Sequence, residues 1–136
     1  MGIGAAGSAE RRRWEGENLG GYLPLCRHLE GQFDVEFCVE HSSGGCYAIV
    51  GRLNNSHEVW LTMAICVLST YAEHAELEAA GEHAGWAAGI YGPENDFCEP
   101  LGWAEDERMS INEYVGVVHL VRDALAHVPA ASTTRP

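Results

Sequence analysis

The segment Phe33-Asp34-Val35-Glu36-Phe37-Cys38-Val39-Glu40 alternates apolar and acidic residues almost without fault. Phe33, Val35, Phe37 and Val39 share one side, and Asp34, Glu36 and Glu40 the other. A period of two predicts a half-buried strand, because a helix would gather its apolar residues every three or four positions. His41-Ser42-Ser43-Gly44-Gly45 then supplies turn chemistry, and Cys46 to Leu53 reads as the returning strand. A hairpin with strands near 33–40 and 46–53 commits the chain to an antiparallel sheet.

Further along, Asn54-Asn55 offers a second tight turn, since Asn tolerates positive φ. The run Val59 to Leu68 is apolar enough for a buried strand or a buried helix. Its β-branched residues Val59, Thr62, Ile65 and Val67 favour a third strand within 57–68. Thr70-Tyr71-Ala72-Glu73 fits a capping box, which predicts a helix near 71–88. That helix would hold Gly81, Gly85 and Gly89 on one stripe. Each glycine costs roughly 1 kcal/mol against alanine, so the stripe implies close packing or an end near Gly81.

Residues 93–109 read as irregular, with Pro93, Pro100 and two acidic clusters. Ser110-Ile111-Asn112-Glu113 is a second capping box, opening a helix near 111–128 that stops before Pro129. Its expected core stripe is Ile111, Tyr114, Val115, Val118, Val121 and Leu125, opposite Asn112, Gly116, His119 and Asp123. Leu19, Leu23, Leu25 and Leu29 suggest a short helix interrupted at Pro24. Glu82-x-x-Gly85-Trp86-Ala87 and Glu99-x-x-Gly102-Trp103-Ala104 share four residues, which in a Gly- and Ala-rich chain reads as coincidence. Strands first and helices later predict an α+β fold: a small antiparallel sheet packed against helices, in one domain spanning 11–128 between tails at 1–10 and 129–136.

The charge is lopsided. The 136 residues carry 8 arginines, no lysine and 20 acids, for a net charge of −12. Between Leu53 and Glu107 there are 11 acids and no basic residue: Glu58, Glu73, Glu76, Glu78, Glu82, Glu94, Asp96, Glu99, Glu105, Asp106 and Glu107. Elsewhere 9 acids meet the 8 arginines and nearly cancel. Such a chain repels nucleic acid and anionic membrane. It has no apolar run long enough to span a bilayer. Its five cysteines form no C-x-x-C, and no signal peptide precedes them, so reduced thiols in the cytoplasm are expected.

Several constellations could carry chemistry. Cys26, His28, Cys38, His41 and Cys46 are soft ligands close in sequence, which makes a zinc-stabilised module one alternative; a plain hairpin explains Cys38, His41 and Cys46 equally. His74 and Glu78 are one helical turn apart, as are His119 and Asp123, and either could serve acid–base chemistry in a small enzyme. The plainer reading puts His74 and His83 on a wet face, easing repulsion among glutamates, and His119 and Asp123 on the surface. Lysine-dependent phosphate loops, G-x-G-x-x-G and G-x-S-x-G are absent, so no cofactor is implied and the reading leans away from an enzyme. Trp60, Trp86 and Trp103 lie in the acidic half and read as partly buried core.

The leading expectation is an acidic protein-binding module. It would dock on and inhibit a basic protein of the nucleic-acid-handling kind through Glu73, Glu76, Glu78, Glu82, Glu94, Asp96, Glu99, Glu105, Asp106 and Glu107.

Overall fold

The computed structural model describes residues 19–42, 46–53, 56–64, 67–92 and 99–129. Among the described residues the chain opens on the short helix expected around Leu19, Leu23, Leu25 and Leu29, which leads into the alternating segment. A single turn of 3-10 helix, Gly20–Tyr22, runs into α1, Leu23–Phe33. Pro24 starts α1 instead of interrupting it, because in the first turn its missing N–H has no partner to lose. Leu19, Leu25 and Leu29 are buried, whereas Leu23 is 50% exposed.

The predicted strand at 33–40 is corrected at its start. Phe33 is the last residue of α1, and Asp34 closes the helix in the left-handed region at φ 58°. Asp is among the few residues that enter that region readily. The Glu30 side chain then accepts the Phe37 N–H at 3.1 Å, and pairing begins there. β1 is Phe37–Ser42 and β2 is Cys46–Arg52, joined in an antiparallel ladder from Phe37 opposite Gly51 to Ser42 opposite Cys46. The third strand is shorter than expected, β3 at Glu58–Thr62. Positive φ at Ser56 and a hydrogen bond from Leu53 N to His57 O close the β2–β3 connection. Ser43–Gly45, Asn54-Asn55 and Ile65-Cys66, where turns and part of the third strand were expected, lie outside the described residues.

The helix expected at 71–88 ends much earlier. α2 is Tyr71–Ala79, and Gly81 at φ 83° stops it. Trp86–Tyr91 is β4, and Gly102–Asp106, expected to be irregular, is β5. The five strands pair in chain order, each antiparallel to the next. α3 is Tyr114–Ala126. The capping box expected at Ser110 does not form. Residues 110–113 make a turn instead, with Glu113 N donating to Ser110 O, and the helix starts behind it.

Register places Phe37, Val39, Ile49, Val59, Leu61, Trp86, Ala88 and Ile90 on one face of the sheet. They form one core with Leu25 and Leu29 of α1 and Val117, Val121 and Ala124 of α3. The stripe of α3 is rotated from the expected one: Val117 and Leu120 are buried, and Val115 is 61% exposed. Gly102 permits this packing, since a Cβ there would collide with the Ala124 carbonyl. The opposite face carries Ala48, Val50, Trp60, Ala87, Tyr91 and Trp103. Arg52 bridges β1 and β3 there, with Nη2 2.8 Å from Glu40 Oε1 and Nε 3.2 Å from Glu58 Oε2. The guanidinium holds the Glu40 carboxyl below its usual range. Both faces of β4 are covered, and all six of its residues are buried. Among the described residues, no helix is long and apolar enough to cross a membrane.

Candidate functional site: carboxylates between helix α2 and strand β5

The carboxylates of 73–107 are held by three local devices. The first is the capping box that opens α2. Thr70 Oγ1 accepts the Glu73 N–H at 3.2 Å, and Glu73 Oε1 lies 3.4 Å from the Thr70 N–H. Glu73 thus sits at the positive end of the helix, where a carboxylate is favoured. Glu76 stands exposed one turn on.

The second device holds Glu78. A carboxylate in the last turn of a helix faces the negative end of its dipole. Glu78 is compensated from outside: Oε1 accepts the Ile111 N–H at 2.7 Å, and Oε2 accepts the Ser110 hydroxyl at 3.1 Å. Tyr71 adds a hydrogen bond to Asn112 Oδ1 at 2.8 Å. Two side chains of α2 therefore tie it to the turn before α3.

The third device is Gly85. Its φ is 57°, and a Cβ would strike the Asp106 carbonyl and the backbone of Glu107. Only glycine lets the exit of α2 press so closely on the end of β5. The result is a cleft of about 250 Å³ lined by Glu78, Glu82, His83, Glu107 and Arg108, with Gly81 and Ala84 among its smaller neighbours. Asp106 Oδ1 accepts the Arg108 N–H at 2.9 Å and shapes its rim.

Of the ten acids singled out in the sequence, Glu78, Glu82 and Glu107 meet at this cleft, Asp106 borders it, and Glu73 and Glu76 continue along α2. Glu105 points to the opposite face of the sheet and accepts the Trp103 indole N–H at 2.8 Å. Glu99 precedes β5 and is separated from Glu107 by the length of that strand, on the order of 20 Å. Glu94 and Asp96 lie outside the described residues. Among the described residues three ion pairs form, Arg27–Glu30, Arg52–Glu40 and Arg52–Glu58. None of them involves a carboxylate from Glu73 to Glu107.

His74 departs from its expected wet face. It is 1% exposed, the only buried residue of α2. Its ring packs on Trp86 with centroids 5.0 Å apart, and Nδ1 lies 3.1 Å from the Tyr22 hydroxyl. Burial pushes its pKa down, against the pull of Glu78 and the Gly85 backbone. His83 is exposed at the cleft, and His119 and Asp123 are exposed on α3. Sequence reasoning missed the buried position although a signal existed, since Tyr71, His74, Ala75 and Glu78 form one helical stripe that begins with an aromatic residue.

The candidate zinc ligands are dispersed. Cys26 is buried in the core, and desolvation pushes its thiol up to about 12. Cys38 faces the other side of the sheet, and His41 stacks on Tyr47 at 5.1 Å. Among the described residues, no group of three or more His, Cys, Asp or Glu side chains is placed to hold a metal ion. Of the tryptophans, Trp86 is fully buried, Trp60 is half-buried with its N–H on Glu58, and Trp103 is 41% exposed. No protein-family model, curated protein or solved structure matches the chain.

Proposed function

We propose that this chain is a protein-binding module whose carboxylates around α2 and the end of β5 dock on a basic protein, one that handles nucleic acid, and block it. One observation carries the reading: no carboxylate from Glu73 to Glu107 forms an ion pair among the described residues. The arginines that do pair are spent on Glu30, Glu40 and Glu58, away from the cleft. Unpaired carboxylates on a fixed scaffold are suited to replace phosphates on a cationic surface and to steer its approach. Arg108 stands in the cleft wall and forms no ion pair among the described residues, which limits the anionic field on that side. A volume of about 250 Å³, below the roughly 300 Å³ at which small-molecule pockets begin, favours a protein partner over a small substrate.

The test is affinity capture with the tagged chain at low salt, beside a variant carrying Glu82→Gln, Asp106→Asn and Glu107→Gln. The wild type should retain a basic protein that the variant loses. Association with the purified partner should slow at least about tenfold as salt rises from 50 to 300 mM, these being round values across which the screening length shortens. Equal retention by the variant, or binding indifferent to salt, would defeat the proposal.

A further inference from the structure

The contacts of His74 fix its tautomer. The Tyr22 hydroxyl donates its one proton to the Ser69 carbonyl at 2.8 Å, an oxygen that can only accept. The Tyr22 oxygen, 3.1 Å from Nδ1, must then accept from an Nδ1–H. Nε2 is left with the lone pair, buried and without a hydrogen-bond partner among the described residues. Beside it the Trp86 indole N–H is also buried and unpartnered, and as a donor it offers nothing to a second N–H. Adding a proton at Nε2 would create a buried cation beside the Trp86 ring, with only Glu78 and the Gly85 backbone to favour it, and burying that charge destabilises the site.

We propose that His74 is an acid-sensitive latch that keeps α2 docked while its imidazole is neutral and frees it when Nε2 takes a proton. The placement of His74 makes the effect local. It is the one buried residue of α2, and Tyr71, Ala75 and Leu77 pack only partly against the core. Further anchors are the hydrogen bonds that Glu78 accepts from Ser110 and Ile111, the one Tyr71 donates to Asn112, and the edge contact of Tyr71 with Tyr22. The strands share a larger core with α1 and α3, which His74 meets at its edge through Tyr22 and Trp86.

The groups around the imidazole set the sign. From the 3-10 turn comes the Tyr22 hydroxyl, whose own pKa burial raises and which therefore stays neutral. From α2 come Glu73, Glu78 and Tyr71, of which Glu78 favours the charged imidazole. β4 contributes only the Trp86 N–H, and the backbone of Gly85 favours the charged form without reaching hydrogen-bond geometry. Asp106 and Glu107 lie beyond Gly85, on the end of β5. Desolvation outweighs these attractions, so the folded pKa lies below the unfolded value. The stabilisation is fully present above the unfolded value of about 6.5. It is lost as pH falls from there through the folded value, by at most about tenfold in the docking equilibrium per pH unit.

The experiment is nuclear magnetic resonance on the intact labelled chain from pH 8 to 5. Imidazole nitrogen shifts report the tautomer and midpoint of His74, and amide hydrogen exchange reports opening, corrected for intrinsic rates. The expected result is an Nδ1–H tautomer with a midpoint below 6.5. Protection of the α2 amides should drop, by at most about fivefold between pH 6.5 and 5.5, while β2, β3 and β4 hold theirs. In His74→Phe the pH dependence of α2 should vanish; if that variant does not fold, the wild-type titration decides alone. An Nε2–H tautomer, a midpoint at or above 6.5, flat α2 protection, or protection lost equally from the strands would each overturn the proposal.

Discussion

Two helices of this molecule are attached by different physics. α3 buries Val117, Val118, Leu120, Val121 and Ala124 against the sheet, and its backbone presses on Gly102. α2 buries one residue, and that residue is a histidine. The apolar stripe of α3 supplies a non-directional attachment that depends on area and little on pH. The attachment of α2 combines partial packing of Tyr71, Ala75 and Leu77 with a short set of polar contacts: the Glu78 and Tyr71 hydrogen bonds with 110–112 and the Tyr22–His74 contact. A helix held this way has a defined position but little reserve against chemical change, and it carries the acids of the proposed interface.

Substitutions can break this contrast or sharpen it. The largest effect is expected from Leu120→Ala, which removes buried apolar volume from α3. It should lower the global unfolding free energy by about 2–5 kcal/mol in denaturant titration. A loss under about 1 kcal/mol would mean that α3 is less embedded than its burial indicates. Glu78→Ala comes next. It leaves the Ile111 N–H without its carboxylate and should cost about 1–2 kcal/mol, read most clearly as faster amide exchange at 111 and in α2. Exchange unchanged at 111 would show that water replaces the carboxylate without loss. The smallest effect is expected from Val115→Ser. The expected stripe made this residue core, yet its exposure puts the change within about 0.5 kcal/mol.

What the sequence made legible follows the same division. The hairpin was readable because β1 alternates and turn residues follow it; β2, buried on both faces at Ala48, Ile49 and Val50, was placed as its return. The start of β1 was not, because Phe33 and Val35 continue the alternation across the end of a helix, and the backbone turn at Asp34 leaves no mark in hydrophobicity. β4 was hidden for a different reason. It is covered on both sides, so Trp86-Ala87-Ala88-Gly89-Ile90-Tyr91 lacks period-two contrast, and its small residues suit a helix equally well. β5 carries Glu105 and Asp106, residues that strands usually lack. The echo between Glu82–Ala87 and Glu99–Ala104, read as coincidence, marks the openings of these two missed strands. In each, Gly-Trp-Ala leads the chain into the sheet.

The candidate site was legible as composition and not as geometry. The unbalanced acids were visible as a run, but their sorting depends on strand register, which sends Glu105 to one face and Asp106 to the other. Likewise, no periodicity could reveal that Glu78 reaches across to Ser110 and Ile111.

The pairing of strands in strict chain order has a consequence for how the protein could change over time. Every ladder joins sequence neighbours, so α2 lies wholly inside one hairpin connection, the stretch 63–85 between β3 and β4. The closure entropy of such a connection rises only slowly with its length. The connection is nonetheless tied to the framework at Leu68, which bridges to Tyr47, at Glu78 and at Gly85. Exposed positions between these ties, such as Glu76 and Glu82, can change while the strand pairing stays, which makes them the natural place for variation in specificity.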